Sequence, residues 1–373
     1  MMAASGLIMT IMASWERPGW EFAVHGGRPP LPYTPTGRLK DVTVAYFLGN
    51  ASGFPNPAEA LAESRFGIAG IGWQLNNVPS NHSHLEAAEV RTALQLKVLR
   101  AGVRILVSRN TEVVSTFMDS VSKAFANTSK DNYWVKGADG HIVETPWISP
   151  AGNTPKRWIN FSHTEAAEWW ANEYIGPVLS SPLFDGLYFD CSCENPPGVE
   201  LAAFAAVQAG AQHAVDALLP RAAAARKWVS AWDNEGSVRR SSCAKDMRTL
   251  IQKARGSYST LQLLFDYRDH EQSLELSAAA LLIARGLYGT LMWPVIGAYE
   301  KAAEFPWNST LLEHDWGGPL EEPREEPMGV FVRRYEHGVA TVDCTAEQRV
   351  VSLLTTLRKS SFMGVHGLMK ANV

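Results

Sequence analysis

The chain has 373 residues, 46% hydrophobic and 19% charged, with a formal net charge of −4. Such a composition can bury one large core and excludes a disordered chain. The mild acidity, the absence of a long basic run and the lack of about 18 consecutive apolar residues argue against nucleic-acid and membrane partners.

Residues 1–14 are apolar and Met-rich but lack a positively charged start. They read equally as a trimmed signal peptide or as a remnant outside the folded protein. Residues 1–40 carry Pro18, Pro29, Pro30, Pro32 and Pro35 and read as an extended arm. From there, short apolar runs alternate with helical stretches, the pattern of parallel β/α units. Strands are expected over 42–48, 66–73 and 104–108, with a helix over 83–101 between the last two. Residues 110–183 are a long excursion holding a polar glycine turn at 137–140, a short run over 157–161 and a helix from Thr164.

A fourth strand spans 184–190 and ends in Asp190. An Ala-rich helix over 199–227 is expected to end or kink at Pro220. Strands five, six and seven read over 227–232, 261–266 and 288–293, with a helix over 274–284, and a weaker eighth strand over 311–314. Eight strands with intervening helices give an α/β protein of the (β/α)8 TIM-barrel class over 41–319. Residues 321–327 read as a charged linker, 330–343 as a β-hairpin and 348–354 as a further strand, so 320–373 forms a small C-terminal β-appendage.

In a barrel the active site lies where the strands end. The strand ends carry Trp73 and Gln74; Arg109, Asn110 and Glu112; Asp190 and Glu194; Asp233, Asn234 and Glu235; and Asp266, Tyr267, Arg268 and Asp269, with Tyr46, Tyr188, Trp232 and Trp293 at or near the ends of their strands. Carboxylates, an arginine and flat aromatic faces on one rim suit sugar hydroxyls and ring stacking, and the 13 tryptophans lean the same way, although core packing takes several of them. Glycosidic cleavage needs two carboxyl groups, one as nucleophile or base and one as proton donor. Asp190, set after a rigid apolar run, is the candidate nucleophile; the acid is sought among the other rim carboxyls, Asp269 and Asp233 included. The remaining rim residues are candidate substrate contacts.

Other patterns carry less. His82-Ser-His84 opens a helix, Gly67, Gly70 and Gly72 fall inside a strand, and residues 130–136 read as ordinary surface polarity. No Gly-x-Ser-x-Gly elbow supports Ser-His-Asp chemistry. The four cysteines, Cys191, Cys193, Cys243 and Cys344, lack zinc-site spacing and read as free thiols or one chance disulfide. No metal and no cofactor is expected. Five Asn-x-Ser/Thr sequons, at Asn50, Asn81, Asn127, Asn160 and Asn308, exceed the chance expectation of about two and favour a secreted glycoprotein.

The stretch 158–170 with its paired Trp169-Trp170, followed by Phe184-Asp-Gly-Leu-Tyr-Phe-Asp190, resembles the clan that holds α-glucosidases and α-galactosidases. The order of Arg109-Asn110, the 315–320 segment and the closing hairpin is similar to glycoside-hydrolase-like barrel families known mostly from sequence. The resemblance implies Asp190 as nucleophile, a proton donor after strand six at Asp266, and an oligosaccharide or polysaccharide substrate; the amylase-type arrangement implies Glu235 instead. The chain departs from the clan at Cys191-Ser-Cys-Glu194, where Met-Asn-Glu is usual, and at Asn160 and His163-Thr164, so no particular sugar carries over. A barrel that binds carbohydrate without cleaving it, and a transglycosylase or lyase using the same cleft, are the alternatives.

Overall fold

The computed structural model describes residues 37–46, 56–72, 85–149, 152–190, 195–231, 235–256, 262–264, 271–285, 290–293, 305–326, 328–345 and 351–355. Of the expected N-terminal arm, residues 1–36 lie outside them; residues 37–40 are described, with Arg38 bridged to Asp315 and Leu39 buried at the start of a short 3-10 helix.

Eight strands form one parallel sheet: β1 (Thr43–Tyr46), β2 (Ile68–Ile71), β3 (Arg104–Asn110), β7 (Gly186–Asp190), β8 (Trp228–Ala231), β9 (Glu235–Gly236), β10 (Gln262–Leu264) and β11 (Thr290–Trp293). Their spatial order is β8-β7-β3-β2-β1-β11-β10-β9, every neighbouring pair parallel. The two outermost strands, β8 and β9, follow one another in the chain. Helices α1 (Pro57–Glu63), α2 (Leu85–Leu99), α6 (Leu201–Ala224), α7 (Cys243–Gly256) and α8 (Leu274–Ala284) alternate with these strands.

Strand alternation divides the sheet into two faces. On β3, Ile105 and Val107 join the large apolar cluster shared with the helices, as do Leu187 and Phe189 on β7. Leu106 and Ser108, and Tyr188 opposite Ser108, are equally buried but lie on the other face. At the amino end of β7, Asp185 accepts from Lys97 at 2.8 Å, from Arg104 at 3.2 Å and from the Ile105 amide at 2.9 Å. Gly186 follows because a Cβ there would lie 2.2 Å from the Trp228 carbonyl oxygen. The Phe-Asp-Gly sequence is thus an anchor for the start of the strand whose far end is Asp190.

The excursion after β3 folds into its own antiparallel sheet, β4 (Val113–Ser115), β5 (Glu144–Ser149) and β6 (Gly152–Trp158) in the order β4-β6-β5, with α3 (Asp119–Ala126) beside it. The polar turn of the sequence lies within it, but the strands themselves, which include Pro146 and Pro155, were not legible. Helix α4 (Thr164–Trp169) starts where expected and continues as a π-helical turn over Trp170–Tyr174 before α5 (Gly176–Ser180).

Three expectations need correction. The Ala-rich helix does not end at Pro220; it runs on to Ala224, held by burial of Leu218, Leu219 and Ala222. The expected eighth strand is instead a short helix, α9 (Ser309–Leu312), because Asn308 caps it by accepting from the Leu311 amide at 3.1 Å. The charged linker contains a strand, β12 (Arg324–Glu326). It pairs with β13 (Val330–Tyr335), which forms the expected hairpin with β14 (Gly338–Asp343), and β15 (Val351–Thr355) completes an antiparallel sheet.

This C-terminal sheet seats on α8, every residue of which except Glu275 is buried. A helix apolar all round needs cover on both sides. Arg333 donates to the carbonyls of Ile283 and Arg285, and the Tyr335 hydroxyl donates to that of Leu282, which satisfies the open carbonyls at the end of α8. Cys243 and Cys344 form a disulfide across 101 residues, linking the start of α7 to the end of β14. Cys191 and Cys193 lie outside the described residues.

The paired change Cys243→Ser with Cys344→Ser is expected to lower unfolding stability by about 2–5 kcal/mol, read from chemical denaturation midpoints. Glu63 ends α1 fully buried, with neither carboxyl oxygen hydrogen-bonded. Burial, with a smaller push from Glu59, holds its pKa well above the ordinary value. A raised folded-state pKa favours the neutral form, so its contribution to stability is intact below the unfolded pKa and drains away as pH rises from there through the folded value. Melting temperatures measured from about pH 5 to about pH 8 should therefore fall more steeply for the parent than for Glu63→Gln; parallel curves would show that Glu63 does not titrate in this way.

Candidate functional site

Ligand sites of parallel sheets lie beyond the carboxyl ends of the strands, in closed and open sheets alike. Asp190 is the last residue of β7 and stands half-buried opposite Asn110, the last residue of β3. The ladder extends one bond further, from the Thr111 amide to the Asp190 carbonyl at 3.1 Å. One residue pair deeper on the same face, Ser108 stands opposite Tyr188, and Tyr188 stands opposite Ser230. The hydroxyls of Ser108 and Ser230 are buried and unpartnered. Gly72 keeps this face open beside them, since a Cβ there would lie 2.6 Å from that of Ser108. The result is a carboxylate and an amide side by side at the strand ends above a floor of hydroxyls.

Behind this pair, Phe189 packs on Trp170 with ring centroids 5.9 Å apart, and Trp170 packs on Phe161 at 5.6 Å. These rings, with Trp134, Trp158, Trp169 and Trp316, are buried core. A hollow of about 10 Å³ bordered by Ser108, Asn110 and Tyr174 has room for at most a water molecule.

Arg109 does not reach the rim as expected. Strand β3 runs two residues further than the sequence suggested, which turns Arg109 to the face opposite Asn110. Its guanidinium, 2% exposed, meets Glu89 of α2 through two bonds of 2.6 and 2.7 Å and lies 5.5 Å from the Tyr174 ring centre. Burial works to lower the pKa of Arg109, but the charge and hydrogen bonds of Glu89 hold it above its ordinary value. At Glu89, burial outweighs the pull of Arg109 and leaves the carboxyl raised. Burial likewise pushes the Tyr174 hydroxyl up. This ion pair clamps the end of β3 to α2.

Tyr188 is fully buried beneath Asp190. Tyr46 and Trp293 end β1 and β11, and Glu235 opens β9, but their side chains lie outside the described residues. Trp73, Glu194, Trp232, Asp233, Asp266 and Asp269 lie outside them altogether, as do His82 and His84. Of the expected carboxylates, Asp190 alone has a described surrounding. Asn110 was read with Arg109 at the end of strand three, whereas Ser108 and Ser230 were not candidates from the sequence, although alternation along β3 from Leu106 places Ser108 and Asn110 on one face. Among the described residues no group of three or more His, Cys, Asp and Glu side chains is arranged to hold a metal ion.

No family model and no curated protein matches the chain. Solved structures similar to it are glycoside hydrolases. A GH36 α-galactosidase AgaA from Geobacillus stearothermophilus, in complex with stachyose, matches with a TM-score of 0.42 and 10% identity over 90% of this chain and 50% of that one. A GH31 dextranase from Flavobacterium johnsoniae, complexed with glucose, gives 0.43 and 13% over 74% and 39%. A sucrose 6F-phosphate phosphorylase from Thermoanaerobacter thermosaccharolyticum gives 0.40 and 8% over 89% and 98%. The chain spans about half the length of the galactosidase. At these scores the likeness carries no argument about activity.

The Arg109–Glu89 pair yields a double-mutant test. Glu89→Ala alone should cost about 3–5 kcal/mol by stranding a buried guanidinium, whereas Arg109→Met with Glu89→Leu should recover most of that loss. Denaturant titrations of the three proteins check it, and a double variant no more stable than Glu89→Ala would mean the pair is not the clamp described.

Proposed function

We propose that the protein is a glycoside hydrolase working at the carboxyl end of a closed parallel barrel. Asp190 serves as nucleophile or base, and Asp266 or Glu235 serves as the acid. The observation that carries the reading is the position of Asp190: it ends β7, half-buried, beside the amide of Asn110. An anchored strand fixes the carboxylate, and a neighbouring amide can orient a sugar hydroxyl without competing for charge. Closure is supported by β8 and β9, which border the two edges of the sheet order yet are separated in the chain by only residues 232–234. The partner is an oligosaccharide or polysaccharide. The disulfide and the exposed sequon at Asn127 favour a secreted protein engaged in polysaccharide breakdown.

A second carboxyl about 5 to 10 Å from Asp190 would complete the chemistry, the shorter spacing giving retention of configuration and the longer one inversion. The test is a screen on plant and algal glycans and aryl glycosides, followed by substitutions. Asp190→Asn should cut turnover by orders of magnitude and leave substrate binding in place. Asp266→Asn should slow substrates with poor leaving groups by about 10²–10⁴-fold and spare activated aryl glycosides. If Glu235→Gln shows that leaving-group pattern instead, Glu235 is the acid. Full activity in Asp190→Asn would refute the mechanism, and tight glycan binding without turnover in the parent would make the protein a binding barrel.

A further inference from the structure

Away from the strand ends, a hollow of about 210 Å³ opens between the excursion after β3 and helix α6. That is room for about one sugar ring. One wall is apolar: Val199, then Ala203 and Val207 at successive turns of α6. The opposite side is polar, and its hydrogen bonds leave it rich in donors.

The Asn160 side-chain oxygen accepts from the Ser162 amide at 3.3 Å and from the Ser162 hydroxyl at 2.5 Å. A backbone N–H can only donate, so the orientation of that amide is fixed and its NH2 group is left over. The Asn132 side-chain oxygen accepts from the Lys136 ammonium at 3.3 Å, which fixes its NH2 in the same way. Trp134, fully buried, closes the hollow from beneath, with its indole N–H shut away from solvent. His163 completes the polar side, and among the described residues no carboxylate lines the hollow.

Unpaired donors and a cation over an apolar strip match an occupant with an apolar ring face and a strong acceptor. Phe161, between Asn160 and Ser162, joins the ring stack that ends at Phe189, next to Asp190. That stack lies on the helical side of β7, so it ties the wall of the hollow to the strand that carries Asp190 without opening onto the strand ends. We propose that it is an accessory subsite for one acidic residue of a glycan, a uronate whose carboxylate meets the amide and ammonium donors while its ring lies on α6. This reading does not depend on catalysis at Asp190.

The test uses the full chain from a bacterial host, without glycosylation, titrated with a methyl uronide, the matching neutral methyl glycoside and inorganic phosphate by ligand-observed NMR. The parent should bind the uronide about tenfold more tightly than the neutral glycoside. Asn160→Asp retains the oxygen that Ser162 needs but replaces the donor with a charge; it and Lys136→Met should each weaken uronide binding about tenfold with melting temperature unchanged. Asp190→Asn should bind as the parent does, which separates this site from the catalytic proposal. Equal binding of the neutral glycoside overturns the acidic class. Phosphate binding as strong as the uronide's makes the hollow a simple anion site, and no binding, or binding indifferent to Asn160→Asp, overturns the proposal altogether.

Discussion

The carboxylate of Asp185 sets the register of β7 against β3. It holds two cations from α2 and β3 together with a backbone amide of β3, all at the amino end of the pair. With that end pinned, alternation decides everything above it. Asp190 arrives opposite Asn110, Tyr188 opposite Ser108, and Leu187 and Phe189 turn to the helices. A slip of one residue would exchange the two faces, burying Asp190 among the helices and presenting Phe189 in its place. The anchor lies at the opposite end of the strand from the candidate chemistry, yet the chemistry depends on it.

Two buried carboxylates on the helical side show different solutions to the same cost. Glu89 is met by the fork of Arg109, so its charge joins two elements. Glu63 has no such partner, and burial drives it towards the neutral form. The first couples α2 to the end of β3, within one residue of Asn110. The second is a local liability at the end of a short helix and has no link to the site.

Much of the fold was legible because apolar runs and their spacing report burial directly. The helix over 274–284 and the closing hairpin match the structure closely. Legibility failed where polar side chains set the local geometry. Asn308 turned an apolar stretch into a helix, and Pro146 and Pro155 hid a paired β-ribbon, since proline normally argues against a strand. At the candidate site, the expected place of Asp190 at the end of an apolar strand matches the end of β7. Arg109 was misplaced because two extra strand residues reverse the facing of a side chain, a detail that composition does not carry.

The disulfide between Cys243 and Cys344 decides what a single cut in the backbone does to the protein. It encloses α7, β10, α8, β11, α9 and most of the C-terminal sheet in one covalent loop. A protease that cuts once anywhere within that loop severs the backbone but not the molecule: the two pieces remain joined through sulfur. Such a nicked chain keeps its mass until a reductant separates it, and the buried contacts of α8 can hold both halves in place meanwhile.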